Sequence, residues 1–175
     1  MLSLLIYLIF VQPKGEEYTT QEQAYSIEQV HKAVGFWGYT ATIETAFITT
    51  EQDVYTLPID SWGILPAVEG TAITIYVVDN SQSRSLYFGS YGGYAQDYYR
   101  LATGLSSTFL AATLAHELGH VLYGLPDWYR DPTLCYATDI MCDGVAAFNA
   151  GVIGCRTLDF IGRPCKKIYL PRIQT

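Results

Sequence analysis

The feature that most constrains this chain is "SSTFLAATLAHELGHVLYG", residues 106–124, an apolar run that carries two of the protein's three histidines and a glutamate. Strong helix formers fill it, the serines suit an N-cap, and the closing glycine suits a left-handed position after the last turn. On such a helix His116 and His120 stand at i and i+4, so their imidazoles leave one face about one turn apart. A helix this apolar is buried, and an unpartnered polar group there costs about 2–7 kcal/mol. Any fold that accepts the helix must therefore satisfy two imidazoles and a carboxylate, and one ion shared by the histidines does so. Glu117, beside the first histidine, would reach a water on that ion rather than the ion itself, which is where a general base belongs.

A third donor is needed, and elimination narrows it. No histidine and no glutamate occurs after residue 120, which leaves Asp127, Asp131, Asp139, Asp143 and Asp159. Gly124 lets the chain reverse at the helix end, so Asp127, three residues on, is the first choice and Asp131 the next. His31 lies far upstream on a separate helix and reads as a surface or half-buried residue.

Upstream, residues 1–11 are apolar but too few to span a bilayer. Leucine, isoleucine, tyrosine, phenylalanine and valine crowd there before "QPKGEE" breaks the run, which reads as a buried first strand; a signal-peptide core is the alternative. "TTQEQAYSIEQVHKAVGFW" (19–37) predicts an amphipathic helix with Thr20 as N-cap, Gln23 three residues later, and Ala24, Ile27, Val30, His31 and Val34 on one face. "TATIETAFIT" (40–49) and "TAITIYVVDN" (71–80) read as strands, and the proline- and glycine-containing stretch between them as loop. "SLYFGSYGGYAQDYYR" (85–100) reads as a twisted edge strand and loop, and also as a cleft rim where an extended peptide could pair. Strand, helix, strand, strand, edge hairpin, long helix is the order of an α/β layered domain, and 175 residues suit a single one.

A net charge of −7 excludes the basic face that a nucleic-acid binder needs. Arg156, Arg163, Lys166, Lys167 and Arg172 stand against Asp159 alone in the last twenty residues, a solvated basic tail or a docking patch for an acidic partner. Cys135, Cys142, Cys155 and Cys165 all fall in the last third. Two disulfides, in an oxidising compartment or a thermophilic cytosol, are the leading reading; a second, structural zinc on four thiolates, disfavoured by the C-x6-C and C-x9-C spacings, and plain reduced cysteines are the alternatives.

"HELGHVLYGLPDWY" together with "DIMC" (139–142) resembles the metzincin metallopeptidases, and "GLPDWY" is most similar to their immune inhibitor A type. The resemblance implies a zincin fold: a twisted mixed sheet with an edge strand over the cleft, a backing helix, an active-site helix and a small C-terminal subdomain. Residues 1–124 would form the upper portion of that domain and residues 125–175 the lower. The resemblance implies His116, His120 and Asp127 as ligands of one catalytic zinc, Glu117 as base, Gly124 as the turn glycine and Met141 as the methionine beneath the metal. The activity implied is that of a secreted, monomeric endopeptidase that cuts peptide or protein substrates with a zinc-activated water. A non-catalytic, zinc-stabilised peptide-binding module is the alternative, and the intact Glu117 argues against it. The chain departs from the family pattern in two places. Gly124 and Asp127 each fall one residue later after His120, so the helix must end later or bulge. Asp143 stands where several metzincins carry a tyrosine, leaving Tyr123, Tyr129 and Tyr136 to take that role.

Overall fold

Residues 3–13 form strand β1 (Ser3–Pro13), and its composition follows from its place in the sheet. The computed structural model describes residues 2–13, 15, 17–50, 73–78, 93–97, 100–104, 110–130 and 139–165. Within them the elements run β1, α1 (Thr20–Phe36), β2 (Thr40–Thr50), β3 (Ile73–Val78), β4 (Gly93–Asp97), β5 (Arg100–Gly104) and α2 (Leu110–Tyr123), followed by a short 3-10 turn at Trp128–Arg130, α3 (Gly144–Asn149) and α4 (Cys155–Phe160). The strands make one sheet in the order β2-β1-β3-β5-β4, parallel except for β4 against β5. This is the mixed sheet with an antiparallel edge strand that the sequence predicts, and both α1 and α2 pack with it.

β1 lies between β2 and β3, in register Ile6↔Ile73, Leu8↔Ile75 and Phe10↔Val77. Those six side chains share one face and join Val30, Ala33, Val34 and Trp37 at α1, and Leu114 and Leu118 on α2, in the core. Ile9 and Tyr76, on the opposite face, are buried as well. From Leu8 to Val11 the strand is covered on both faces, which is why its apolar run is continuous there, while Leu5 near its start is exposed.

The first helix is found with two corrections. Its N-cap is Thr19, not Thr20, and the capping box closes on Glu22 rather than Gln23: Thr19 Oγ1 accepts from the Glu22 N–H at 3.2 Å and Glu22 takes the Thr19 N–H at 2.8 Å. Carboxylate is the stronger acceptor for that reciprocal bond, and it also suits the positive end of the helix dipole. The buried stripe is Ser26, Gln29, Val30, Ala33 and Val34, whereas Ala24 faces solvent, as does His31 in keeping with its surface reading. α1 packs on α2, and the indole of Trp37 fixes the contact by donating to the Ala115 carbonyl at 2.8 Å.

Beyond α2 the chain is short-range and cross-linked. Cys155 is bonded to Cys165 with Cα atoms 5.0 Å apart, and Cys142 is also engaged in a disulfide. That geometry replaces the four-thiolate zinc alternative. Among the described residues no helix is long and apolar enough to cross a membrane. The loop reading of residues 51–70, the serine caps at 106 and 107, Asp131, Cys135, Tyr136 and the end of the basic tail lie outside the described residues.

Candidate metal centre

Helix α2 runs on to Tyr123 and stops at Gly124, whose φ of +63° is open to glycine and costly for other residues. The Gly124 N–H returns to the His120 carbonyl at 2.9 Å, the closing bond of a left-handed helix cap, and the Leu125 N–H reaches the Gly119 carbonyl at 3.4 Å. The helix thus ends late, at Tyr123, with no bulge. The reversal carries Leu125 back over the last turn and brings Asp127 to the histidine face.

Each imidazole is held from behind by a carbonyl. Nδ1 of His116 donates to Ile140 O at 2.9 Å, and Nδ1 of His120 donates to Leu125 O. A carbonyl can only accept, so the proton of each neutral ring sits on Nδ1 and the lone pair on Nε2 points forward. Both Nε2 atoms then lie 3.1 Å from one oxygen, Oδ1 of Asp127. Three acceptors facing one another repel unless protons or a cation stand among them. The donor atoms all fall within 4.8 Å of one another, and two imidazoles with a carboxylate are a donor set that zinc accepts. These residues fit a zinc ion.

The electrostatics agree with that shape. Burial works to lower the pKa of His120, but the Asp127 hydrogen bond, the Leu125 carbonyl and the charges of Glu117 and Asp127 outweigh it and raise the value above 6.5. Burial likewise works to raise Asp127, and the hydrogen bonds from His116 and His120, the charge of His120 and the Tyr129 hydroxyl reverse it, holding the carboxyl far below its usual range. The site is built for positive charge at its centre.

Glu117 is buried, 8% exposed, and near enough for its charge to act on His120. Met141 is fully buried beneath α2, its sulfur against Gly119. Of the other carboxylates weighed from sequence, Asp143 caps α3 by accepting from the Ala146 N–H at 2.9 Å, and Asp159 is exposed. Asp139 is buried, but both its oxygens are turned to Thr157 and Met141 rather than to the histidines. Of the tyrosines, Tyr123 faces away, its hydroxyl 3.0 Å from that of Tyr39 and its ring on Trp37. Of the two described, Tyr129 is the one at the centre: its ring lies 6.0 Å from that of His116 and its hydroxyl bonds Asp127. Sequence reasoning names Tyr129 only as one of three, and weighs Asp139 only as a ligand. An aspartate two residues before the N–H it accepts is an Asx-turn signature, and that signal is present in "DIM".

By sequence the chain matches no described protein family and no curated protein. By fold it is similar to the crystal structure of archaemetzincin from Methanopyrus kandleri, with a TM-score of 0.57 at 13% identity over 90% of this chain and 93% of that one. It also aligns with metalloproteinase-II from Bacteroides fragilis, with a TM-score of 0.47 at 14% identity over 86% of this chain and 54% of that one. The α/β fold is therefore of the archaemetzincin kind.

Proposed function

We propose that this chain is a zinc-dependent endopeptidase of the metzincin type, with residues 1–175 acting as one catalytic domain on peptide or protein substrates. The observation that carries the reading is the meeting of His116 Nε2, His120 Nε2 and Asp127 Oδ1 at 3.1 Å, with both imidazole protons turned away to carbonyls. The fold shared with archaemetzincin supports it. The likeness of "GLPDWY" to the immune inhibitor A type belongs to the same reading, with Asp127 in the third-ligand place. His116, His120 and Asp127 would hold the zinc ion, which would supply a Lewis acid for activating water and polarising the scissile carbonyl.

The chain's own residues do the rest. Glu117 takes the proton of the attacking water on its carboxylate and returns it to the departing amine nitrogen. Its burial lets a proton move without competing with bulk solvent. Tyr129, exposed on one side, gives its hydroxyl to Asp127 and so steadies that carboxylate beside the histidines. β4 ends the sheet and packs along α2, so an extended substrate pairs with that edge and lies across the histidines. Cysteines engaged in disulfides suit secretion into an oxidising setting.

The test is zinc content measured together with casein hydrolysis on wild type and Asp127→Ala. One zinc per wild-type chain, lost with activity in the variant, supports the reading. Zinc without turnover in wild type favours the peptide-binding module, and absence of zinc in wild type removes both.

A further inference from the structure

We propose that Asp139 is a positioning residue of the metal centre, acting on His116 through a single peptide unit. The inference rests on the zinc reading above. The peptide that joins Ile140 to Met141 is gripped on both sides: its N–H donates to Asp139 Oδ1 at 3.0 Å, and its carbonyl accepts from His116 Nδ1 at 2.9 Å. A trans peptide is planar and rigid, with N–H and C=O pointing opposite ways. Fixing the N–H therefore aims the carbonyl, and the carbonyl aims the ring.

The carboxylate is itself locked. Thr157 gives its N–H to Oδ2 at 3.1 Å and its hydroxyl to Oδ1 at 2.7 Å. The Thr157 hydroxyl in turn accepts from the Trp128 indole at 3.2 Å, and the Trp128 N–H bonds the Met141 carbonyl at 3.0 Å. Gly154, at φ +98°, lies so close that a Cβ there would overlap the Asp139 carboxyl group. Asp139 and Thr157 are 1% and 0% exposed, so water does not compete for these bonds. Three donors converge on two oxygens, which an aspartate satisfies fully and an asparagine cannot, because its NH2 must face at least one of them. The negative charge also polarises the amide, making its carbonyl a stronger acceptor and the Nε2 of His116 a better donor to a metal. Asp139 thus reaches the centre without touching it.

The experiment compares wild type, Asp139→Asn and, as a neighbouring control, Asp143→Asn. Zinc affinity is read by competition with a fluorescent chelator, and the His116 tautomer in the metal-free protein by long-range 1H–15N NMR. Folding is checked by circular dichroism. Asp139→Asn is expected to weaken zinc by about 10- to 100-fold and to mix the His116 tautomers, with Asp143→Asn unchanged within about twofold. A folded Asp139→Asn protein that keeps wild-type affinity, or whose His116 remains wholly protonated at Nδ1, overturns the proposal. Should the variant fail to fold, the wild-type Met141 amide decides: strong protection from hydrogen exchange is expected, and free exchange overturns the relay. If wild type binds no zinc, the proposed function falls and this inference with it. If wild type binds zinc and Asp139→Asn binds it equally well, only this inference falls.

Discussion

The sulfur of Met141 rests on the bare backbone of Gly119, so closely that a Cβ there would lie 2.7 Å from Sδ. Trp37 and Leu125 close the remaining sides at 3.1 and 3.2 Å from the same point. The residue before the second histidine is therefore glycine for packing, since its helical backbone needs no special φ.

Gly119→Ala is expected to destabilise the protein. Alanine gains about 1 kcal/mol of helix propensity over glycine, but overpacking a closed core costs about 1–3 kcal/mol. A net loss of about 1 kcal/mol should appear as a lower urea midpoint with an unchanged slope. A rise in the midpoint would show that Met141 moves aside freely.

Glu117→Gln should separate chemistry from metal binding. The amide keeps the volume and loses the base, so peptide turnover is expected to fall by about 10²- to 10⁴-fold. Zinc per chain should be unchanged, because Glu117 is not among the three residues whose donor atoms converge. Substrate turnover measured together with elemental analysis reads both.

The pH dependence should invert between metal-free and metal-loaded protein. In the metal-free form His120 has its folded pKa raised above 6.5, so its contribution is complete below that value and is lost as pH rises through the folded pKa. Asp127 has its folded pKa lowered from 3.8, so its contribution is present above that value and is lost only as strong acid protonates it. The metal-free protein is thus expected to melt highest between about pH 4 and 6.5. Metal binding needs both imidazoles deprotonated at Nε2, so zinc-loaded protein should instead gain stability from about pH 5 to about pH 7. Thermal melts with and without chelator across this range test the crossing.

Replacing Cys155 and Cys165 together with serine should loosen the segment below α2. The bridge closes a sequence separation of 10 residues, and a loop of that size is worth about 2–3 kcal/mol. Because Thr157 lies two positions into the helix that Cys155 begins, the double variant is also expected to release zinc to a chelator faster than wild type. An unchanged release rate would uncouple α4 from the centre.

Much of this molecule is legible in its residues taken a few at a time. The i, i+4 histidines, the glycine that ends their helix, the β-branched strands and the doubly buried first strand all follow from covalent geometry and local periodicity, which act over one or two turns of chain. What the sequence leaves open is settled by contacts between distant segments. It offers five carboxylates for the third donor, and Asp127 is the described one that converges because Gly124 turns the chain and Trp128 bonds Met141 at 3.0 Å. It offers three tyrosines, and of the two described, Tyr123 is taken away from the centre by its contact with Trp37 and Tyr39 while Tyr129 faces His116. The α1 face is misjudged at Ala24, which obeys the period as well as Ala33 does, and only the approach of α2 selects between them, while His31 is exposed as its surface reading has it. Asp139 reads from spacing only as a possible ligand, since its partners, Met141 and Thr157, meet it through a turn and through a helix 18 residues further on. Local chemistry determined which groups the protein carries, and the packing of its lower segments beneath α2 decided which of them meet.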